Sequence, residues 1–175
     1  MYKQTNSPAL VTRISDGACI PLPPAEGEGY KYAEWLAAGN TPAPAAVPSL
    51  AQNIAALVLR IKSDANKIVS DTVGALSNEY AQAKIDADAF KAAAYLGAVP
   101  SSVSSWATAK GWTTLQACDD ILLAAANWGG AQAAIRSNRL ARAEAAKACT
   151  TQAQLDTVVA QWAGFVVAIR SSLGV

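Results

Sequence analysis

Two adjacent aspartates, Asp119 and Asp120, are the residues whose type and spacing first suggest chemistry. A pair of carboxylates can divide the roles of general acid and general base when both side chains converge on one bond. Successive residues of a helix point about 100° apart, and this pair falls near the predicted start of a helix. We therefore expect the two charges to stabilise the helix start rather than to share a site.

Histidine is absent from the sequence. Its absence excludes Ser-His-Asp and Cys-His nucleophilic catalysis and removes the most common general base and metal ligand. The cysteines Cys19, Cys118 and Cys149 lie far apart, in no spacing typical of a zinc site or a disulfide framework. We expect them to be small buried residues in a reducing compartment. No catalytic, cofactor-binding or metal-binding residue is predicted, and we do not expect this protein to be an enzyme.

The basic residues show one regular feature, since Arg136, Arg139 and Arg142 recur every three residues along one predicted helix. Such a row could bind phosphate or carboxylate groups, but a solvated face or intermolecular ion pairs are the more ordinary interpretation. Fourteen basic and thirteen acidic residues give a net charge of +1, without the basic excess typical of nucleic-acid-binding proteins. No run of about 18 apolar residues predicts a membrane span, and the first residues lack a signal-peptide pattern. Neither nucleic acid nor membrane is therefore an expected partner.

The elements that must position these residues are predicted to be helices. Hydrophobic residues make up 52% of the chain but aromatic residues only 7%, and about forty residues are alanine. Alanine has the highest helix propensity and buries little area per residue. We therefore predict an all-α fold, in which residues 49–175 form a helical bundle packed through small side chains.

A long helix is predicted from Leu50 to about Leu96, with a bend near Gly74. Its apolar residues follow one another mostly at steps of three or four, although the heptads of a coiled coil are irregular. A helix of this length either spans a bundle or pairs with copies of itself, and the pattern allows both. The candidate oligomer seam consists of Leu50, Ile54, Leu57, Ile61 and Ile68.

Further helices are predicted beyond Pro100. A short one begins near Ser101 and ends near Gly111, and a longer one begins at Thr113 or Thr114. Gly129 and Gly130 are expected to kink or end that helix. A last helix is expected to begin at Thr150 or Thr151.

Residues 1–48 differ from the rest, because they hold seven of the eight prolines. The alternation over residues 9–14, the turn signal Asp16-Gly17 and the return over residues 18–20 predict one small hairpin. Pro21, Pro23 and Pro24 are expected to end its pairing.

A short helix from Glu28 to Ala38 should follow, capped by Gly39, and then an extended linker over residues 40–48. We expect this arm to have no core of its own, so that its apolar side chains need a partner surface. The candidate protein-interaction residues of the arm are Ile14, Ile20, Tyr32, Trp35 and Leu36.

The arm carries the run TRISDGACIP at residues 12–21, then Tyr32, WLA at residues 35–37 and GNTP at residues 39–42. This order of residues resembles a segment of the tail-fibre and tail-associated, baseplate-linked proteins of tailed bacteriophages. Members of that family usually have an Asn-rich stretch between hairpin and helix, where this chain has AEGEG at residues 25–29. Parts of residues 89–107 also look like domains of phage tail proteins.

The resemblance implies a structural tail component, either a fibre protein or an adaptor between fibre and baseplate, with no enzymatic activity. The arm would dock on other tail proteins, and the helical body would pack on the fibre, the baseplate or copies of itself. A homo-oligomer is expected, and a trimer around the Leu50–Phe90 helix would suit a threefold fibre. The protein would be assembled in the host cytoplasm and found in the virion tail.

Two alternatives stay open. An assembly chaperone would use the same arm to bind fibre surface transiently and then leave. An enzyme, such as a depolymerase or lysin, would need converging carboxylates, which the sequence does not predict.

Overall fold

The computed structural model describes residues 1–22 and 27–175, so Pro23 and Pro24, which were expected to end the hairpin, lie outside the described residues. The chain is mostly helical, at 69%, which confirms the prediction of a helix-dominated fold. The described residues form six α-helices, one short 3-10 helix and one three-stranded sheet. Two compact units make up the chain, Met1–Ser49 and Leu50–Val175, and each is described by itself below.

The sheet of the first unit consists of β1 (Tyr2–Gln4), β2 (Leu10–Arg13) and β3 (Cys19–Pro21), paired antiparallel in that order. The predicted hairpin is confirmed as β2 and β3, but it is not the whole sheet, because β1 pairs with β2 on the side away from β3. Three residues with one apolar side chain show no periodicity from which a strand could be predicted. The third strand matters physically, since an isolated hairpin is marginal in water.

Helix α1 (Glu28–Ala37) follows, and the chain leaves it through Gly39 at φ +81°. The segment expected to be a linker then meets the free edge of β1. Ala43 N–H donates to Tyr2 O at 2.9 Å, and Gln4 N–H donates to Ala43 O at 2.8 Å. These bonds form a parallel bridge that covers an otherwise open sheet edge.

The second unit contains a 3-10 turn (Gly74–Leu76) and five helices, which are α2 (Leu50–Thr72), α3 (Ser77–Ala92), α4 (Ser101–Lys110), α5 (Thr114–Lys147) and α6 (Gln152–Leu173). The predicted helix from Leu50 to Leu96 is thus two helices. Gly74 separates them at φ +49°, a conformation that an L-residue in a continuous helix does not adopt. The bend was predicted at the right residue, but it is a complete break.

Helix α5 passes through two separate hydrophobic cores. The first core lies between α2, α6 and the C-terminal half of α5, with Ile61, Ile68, Leu155 and Trp162 at its centre. The second lies between α3, α4 and the N-terminal half of α5, around Phe90, Val103 and Cys118. The expectation that α5 ends at Gly129 and Gly130 is wrong, since the helix continues through both. Packing at both ends of α5 outweighs the weak helix propensity of two glycines.

Helices α2 and α6 run parallel, as three side-chain hydrogen bonds show. Asn53 Nδ2 donates to Gln152 Oε1 at 2.9 Å, at a sequence separation of 99 residues. Trp162 Nε1 donates to Asp64 Oδ2 at 2.9 Å, at a separation of 98. Arg170 Nη2 donates to Asp71 Oδ2 at 2.6 Å, again at a sequence separation of 99 residues. A nearly constant separation along both helices fixes one parallel register.

The two predicted threonine caps are confirmed. Thr113 and Thr151 each accept the backbone N–H of the glutamine three residues later, and each glutamine side chain bonds back to the cap. Of the helices formed by residues 1–22 and 27–175, none has the length and apolar character needed to cross a bilayer.

Candidate functional site

The arm has a hydrophobic core of its own, contrary to the sequence-based expectation. Ile20 and Tyr32, two of the predicted interaction residues, are buried together with Tyr2 and Val11. The Tyr2 ring lies 5.0 Å from the Tyr32 ring and 5.1 Å from the Trp35 ring, edge to face in both cases. Tyr2 belongs to strand β1, which the sequence did not predict. Because this strand was missed, the arm was expected to have no core. The fold of the arm is therefore stabilised by Ile20 and Tyr32 in its core and by the partly buried Trp35 packed against them.

The turn between β2 and β3 is closed by an ion pair within the resemblance motif. Arg13 Nη2 donates to Asp16 Oδ2 at 2.6 Å, and Ala18 N–H donates to Asp16 Oδ1 at 3.1 Å. Gly17 sits between them at φ +74°, which favours glycine. The Arg13 guanidinium, followed by the Ala18 amide, lowers the pKa of Asp16 to about 2. In the RISDGA part of the motif, Arg13, Asp16 and Gly17 thus each have a local structural role.

The helical part of the motif ends in a similar way. Asn40 Nδ2 donates to Trp35 O at 2.8 Å, which satisfies a carbonyl at the end of α1. Gly39 makes the turn, and the residues after it lead into the bridge with β1. The motif residues from Thr12 to Pro42 therefore belong to one small folded unit, to which Tyr2 and Val11 also contribute.

Two of the five predicted interaction residues of the arm stay on its surface. The exposed fraction is 49% for Ile14 and 39% for Leu36. Leu10 and Tyr30 are also exposed apolar residues, at 37% and 59%, and the sequence prediction omitted them. The alternation of β2 offered a signal for Leu10, because Leu10 and the buried Val11 must point to opposite faces.

The residues of the candidate oligomer seam pack inside the second unit. Leu57, Ile61 and Ile68 are buried in the first core of the body. Leu50 and Ile54 are half-buried against the same core. Since α5 and α6 of the same chain cover this face of α2, it is not free to pair with another copy.

The adjacent carboxylates near the start of α5 contact different helices, as their spacing predicts. Asp119 Oδ1 accepts from Lys91 Nζ at 2.8 Å and from Tyr95 Oη at 2.9 Å. Asp120 Oδ2 accepts from Trp106 Nε1 at 2.9 Å. The hydrogen bond from Lys91, and next that from Tyr95, lowers the pKa of Asp119. Asp119 thus links α5 to α3 and to the turn after it, and Asp120 links α5 to α4.

Tyr95 belongs to a strained turn after α3. Ala94 and Tyr95 adopt φ values of +54° and +60°, which cost non-glycine residues about 1 kcal/mol or more each. The Tyr95 ring packs edge to face on Phe90 at 5.6 Å, and its hydroxyl donates to Asp119. These contacts hold the turn in its unfavourable conformation.

The arginine row and the cysteines form no common site in the described residues. Arg142 Nη1 donates to Gln161 of α6, whereas Arg136 is exposed. Cys118 is buried, with its thiol donating to Ala87 O, and burial raises its pKa. The expectation of buried thiols is wrong for Cys19, which is exposed on the edge strand. In residues 1–22 and 27–175, no three acidic or cysteine side chains are grouped as metal ligands.

Comparisons of the chain with protein-family models, with curated proteins and with solved structures gave no match. Its function is therefore inferred from its own residues and their geometry.

Proposed function

We propose that this protein is a structural component of a bacteriophage tail, a fibre protein or an adaptor between fibre and baseplate. It holds other tail proteins through its N-terminal arm and its helical bundle. The role is non-enzymatic and needs no cofactor. In this proposal the protein is assembled in the host cytoplasm and stays in the virion tail.

One observation carries the proposal, namely that the motif resembling phage tail proteins folds as a unit. Its charged, glycine and asparagine residues form the turn and the helix end, and Ile20 and Tyr32 form the core together with Tyr2 and Val11. A motif that lies within one of the two compact units of the chain suits a reusable attachment segment. Ile14 and Leu36 remain exposed on it and are the residues we assign to docking.

Self-association, if it accompanies this role, must use a face other than the candidate seam, because Ile61 and Ile68 are fully buried within the chain. Trp35 is also unsuited as a clean test of docking, since it packs on Tyr2. Its removal would disturb the fold of the arm itself.

The test is incorporation into particles. Leu36→Asp and Ile14→Asp should each lower the amount of protein in purified phage particles at least about tenfold, because a carboxylate is costly in an apolar interface. Val47→Asp is the matched control, since Val47 is an apolar arm residue with 88% exposure. Circular dichroism should show the same helix content for all three variants.

Normal incorporation of both Ile14→Asp and Leu36→Asp would overturn docking through these residues. If the wild-type protein is absent from purified particles while fibre assembly depends on it, the assembly-chaperone alternative holds instead.

A further inference from the structure

Two exposed tryptophans lie beside the same lysine at the end of α4. The helix ends at Gly111, in the left-handed conformation at φ +66°, and Trp112 N–H turns back to donate to Ala107 O at 2.9 Å. The reversal brings Trp112 and Trp106 to the same ammonium group. Lys110 Nζ lies 4.8 Å from the ring centroid of Trp106 and 5.4 Å from that of Trp112. One cation therefore interacts with two indole rings.

Both rings are unusually open to solvent for tryptophan. Trp106 is 38% exposed and Trp112 is 41% exposed, while Trp162 is fully buried in the first core of the body. Trp106 cannot rotate freely, because its Nε1 donates to Asp120 Oδ2. Tryptophan is enriched among the interface residues that contribute most to binding, and an exposed pair of indole rings is a candidate for such a role.

Lys110 differs from most lysines of the body in its electrostatic environment. Lys67, Lys84, Lys91 and Lys147 each have a carboxylate partner within 3.1 Å. Lys62 shares with Lys110 the absence of such a partner in the described residues, but only Lys110 lies over aromatic rings. Across the described ranges 1–22 and 27–175, no carboxylate lies within ion-pair distance of Lys110. Asp120 is bonded to the nitrogen edge of Trp106, and Asp119 is paired with Lys91. The positive charge of Lys110 is therefore available to a carboxylate of another molecule.

We propose that Trp106, Lys110 and Trp112 form a docking surface for an acidic segment of a partner protein. In this complex an Asp or Glu of the partner pairs with Lys110, and an apolar side chain next to it packs on the indole rings. Covering the rings excludes water from the ion pair and so strengthens it. The inference rests on the proposed function in one respect, namely that the molecule bound at these three residues is taken to be a protein. The surface lies on the body and involves no residue of the arm.

The experiment is a titration followed by the indole N–H signals of the ¹⁵N-labelled full chain. The probe is a short synthetic peptide of Gly, Glu and Leu, compared with the same peptide carrying Lys in place of Glu. We expect the signals of Trp106 and Trp112 to shift with the acidic peptide alone, while that of Trp162 stays fixed. Lys110→Met keeps the apolar stem and should weaken binding about tenfold. Trp112→Ala should weaken it by a similar factor.

The matched control is Lys147→Met, because Lys147 is an exposed lysine paired with Glu144. It should leave the affinity unchanged. Equal binding of the two peptides, or unchanged affinity in Lys110→Met, would overturn the proposal. Shifts of the indole signals caused by alginate but not by the acidic peptide would also overturn it and would indicate a saccharide ligand. Line broadening that depends only on protein concentration would overturn it too and would indicate a second copy of the chain. Failure here leaves the incorporation test of the arm unaffected, since that test concerns Ile14 and Leu36.

Discussion

At the residue scale, the ion pair between Arg13 and Asp16 shows how one contact explains several letters of a motif. The two side chains close the turn around Gly17, and Asp16 also accepts the Ala18 amide. The resulting pKa of about 2 for Asp16 lies below its ordinary value of 3.8. Because folding lowers this pKa, the contact stabilises the arm fully above about pH 4 and is lost as the pH falls through about 2.

The arm should therefore become less stable in acid in a way that depends on Asp16. Asp16→Asn should destabilise the arm at pH 7, where the wild-type carboxylate is charged, and should have a much smaller effect near pH 2, where about half of the carboxylates are protonated. The measurement is amide hydrogen exchange of residues 1–22 as a function of pH, corrected for intrinsic exchange. Glu34→Gln, which changes another exposed carboxylate of the arm, is the control and should not alter the profile. An Asp16→Asn effect of equal size at both pH values would contradict this account.

At the element scale, α2 shows what an apolar stripe does and does not predict. The spacing of Leu57, Ile61 and Ile68 correctly identifies the covered face of the helix. Periodicity does not say which surface covers that face, because α5, α6 and a second copy of the chain would all require the same apolar residues. The alternatives left open in the sequence are decided by long-range contacts, such as that between Asp64 and Trp162.

Truncation of two aliphatic residues of α2 should therefore change the free energy of unfolding by very different amounts. Ile61→Ala removes a fully buried side chain and should lower the free energy of unfolding by roughly 2–5 kcal/mol. Leu59→Ala, two residues away on the exposed face, should change it by less than about 0.5 kcal/mol. Urea unfolding followed by circular dichroism measures both. If Ile61→Ala instead kept full stability and lowered the molar mass in light scattering, α2 would be an oligomer seam.

Two glycines of the body have different structural roles, although the sequence suggested a bend at Gly74 and a kink or end at Gly130. Gly74 has φ +49°, whereas Gly130 is an ordinary helical residue of α5. A Cβ atom at either position would meet nothing within 4 Å, so backbone conformation decides the effect of substitution. The sequence could not separate the two cases, because the continuity of α5 depends on packing at both of its ends.

Alanine at these two positions should change stability in opposite directions. Gly74→Ala places an L-residue at positive φ and should destabilise the protein by roughly 1–2 kcal/mol. Gly130→Ala raises helix propensity without a clash and should stabilise it by about 0.5–1 kcal/mol. Thermal and urea unfolding of the two variants, measured in parallel, give the sign directly. Destabilisation by both would mean that Gly130 has a packing role.

At the scale of the whole molecule, the described residues contain three cores that share no residue. One holds the arm together, and two lie along α5 in the body. The mostly helical body could be predicted from alanine content and helix caps. The arm core could not, because Tyr2 lies in a strand too short to show a pattern and acts through residues distant in sequence, Tyr32 and Trp35.

Separate cores predict that the arm can unfold while the body stays folded. A unit of this size buries a smaller fraction of its surface than a larger domain does and is correspondingly marginal. Tyr2→Ala removes the ring that contacts both Tyr32 and Trp35, so it should bring amide exchange in residues 1–22 close to the unprotected rate. Protection in α5 and α6 and the midpoint of helix melting at 222 nm should stay as in the wild type. Val47→Ala, at a highly exposed arm position, should alter neither. Loss of protection in both units of Tyr2→Ala would show instead that arm and body fold as one cooperative unit.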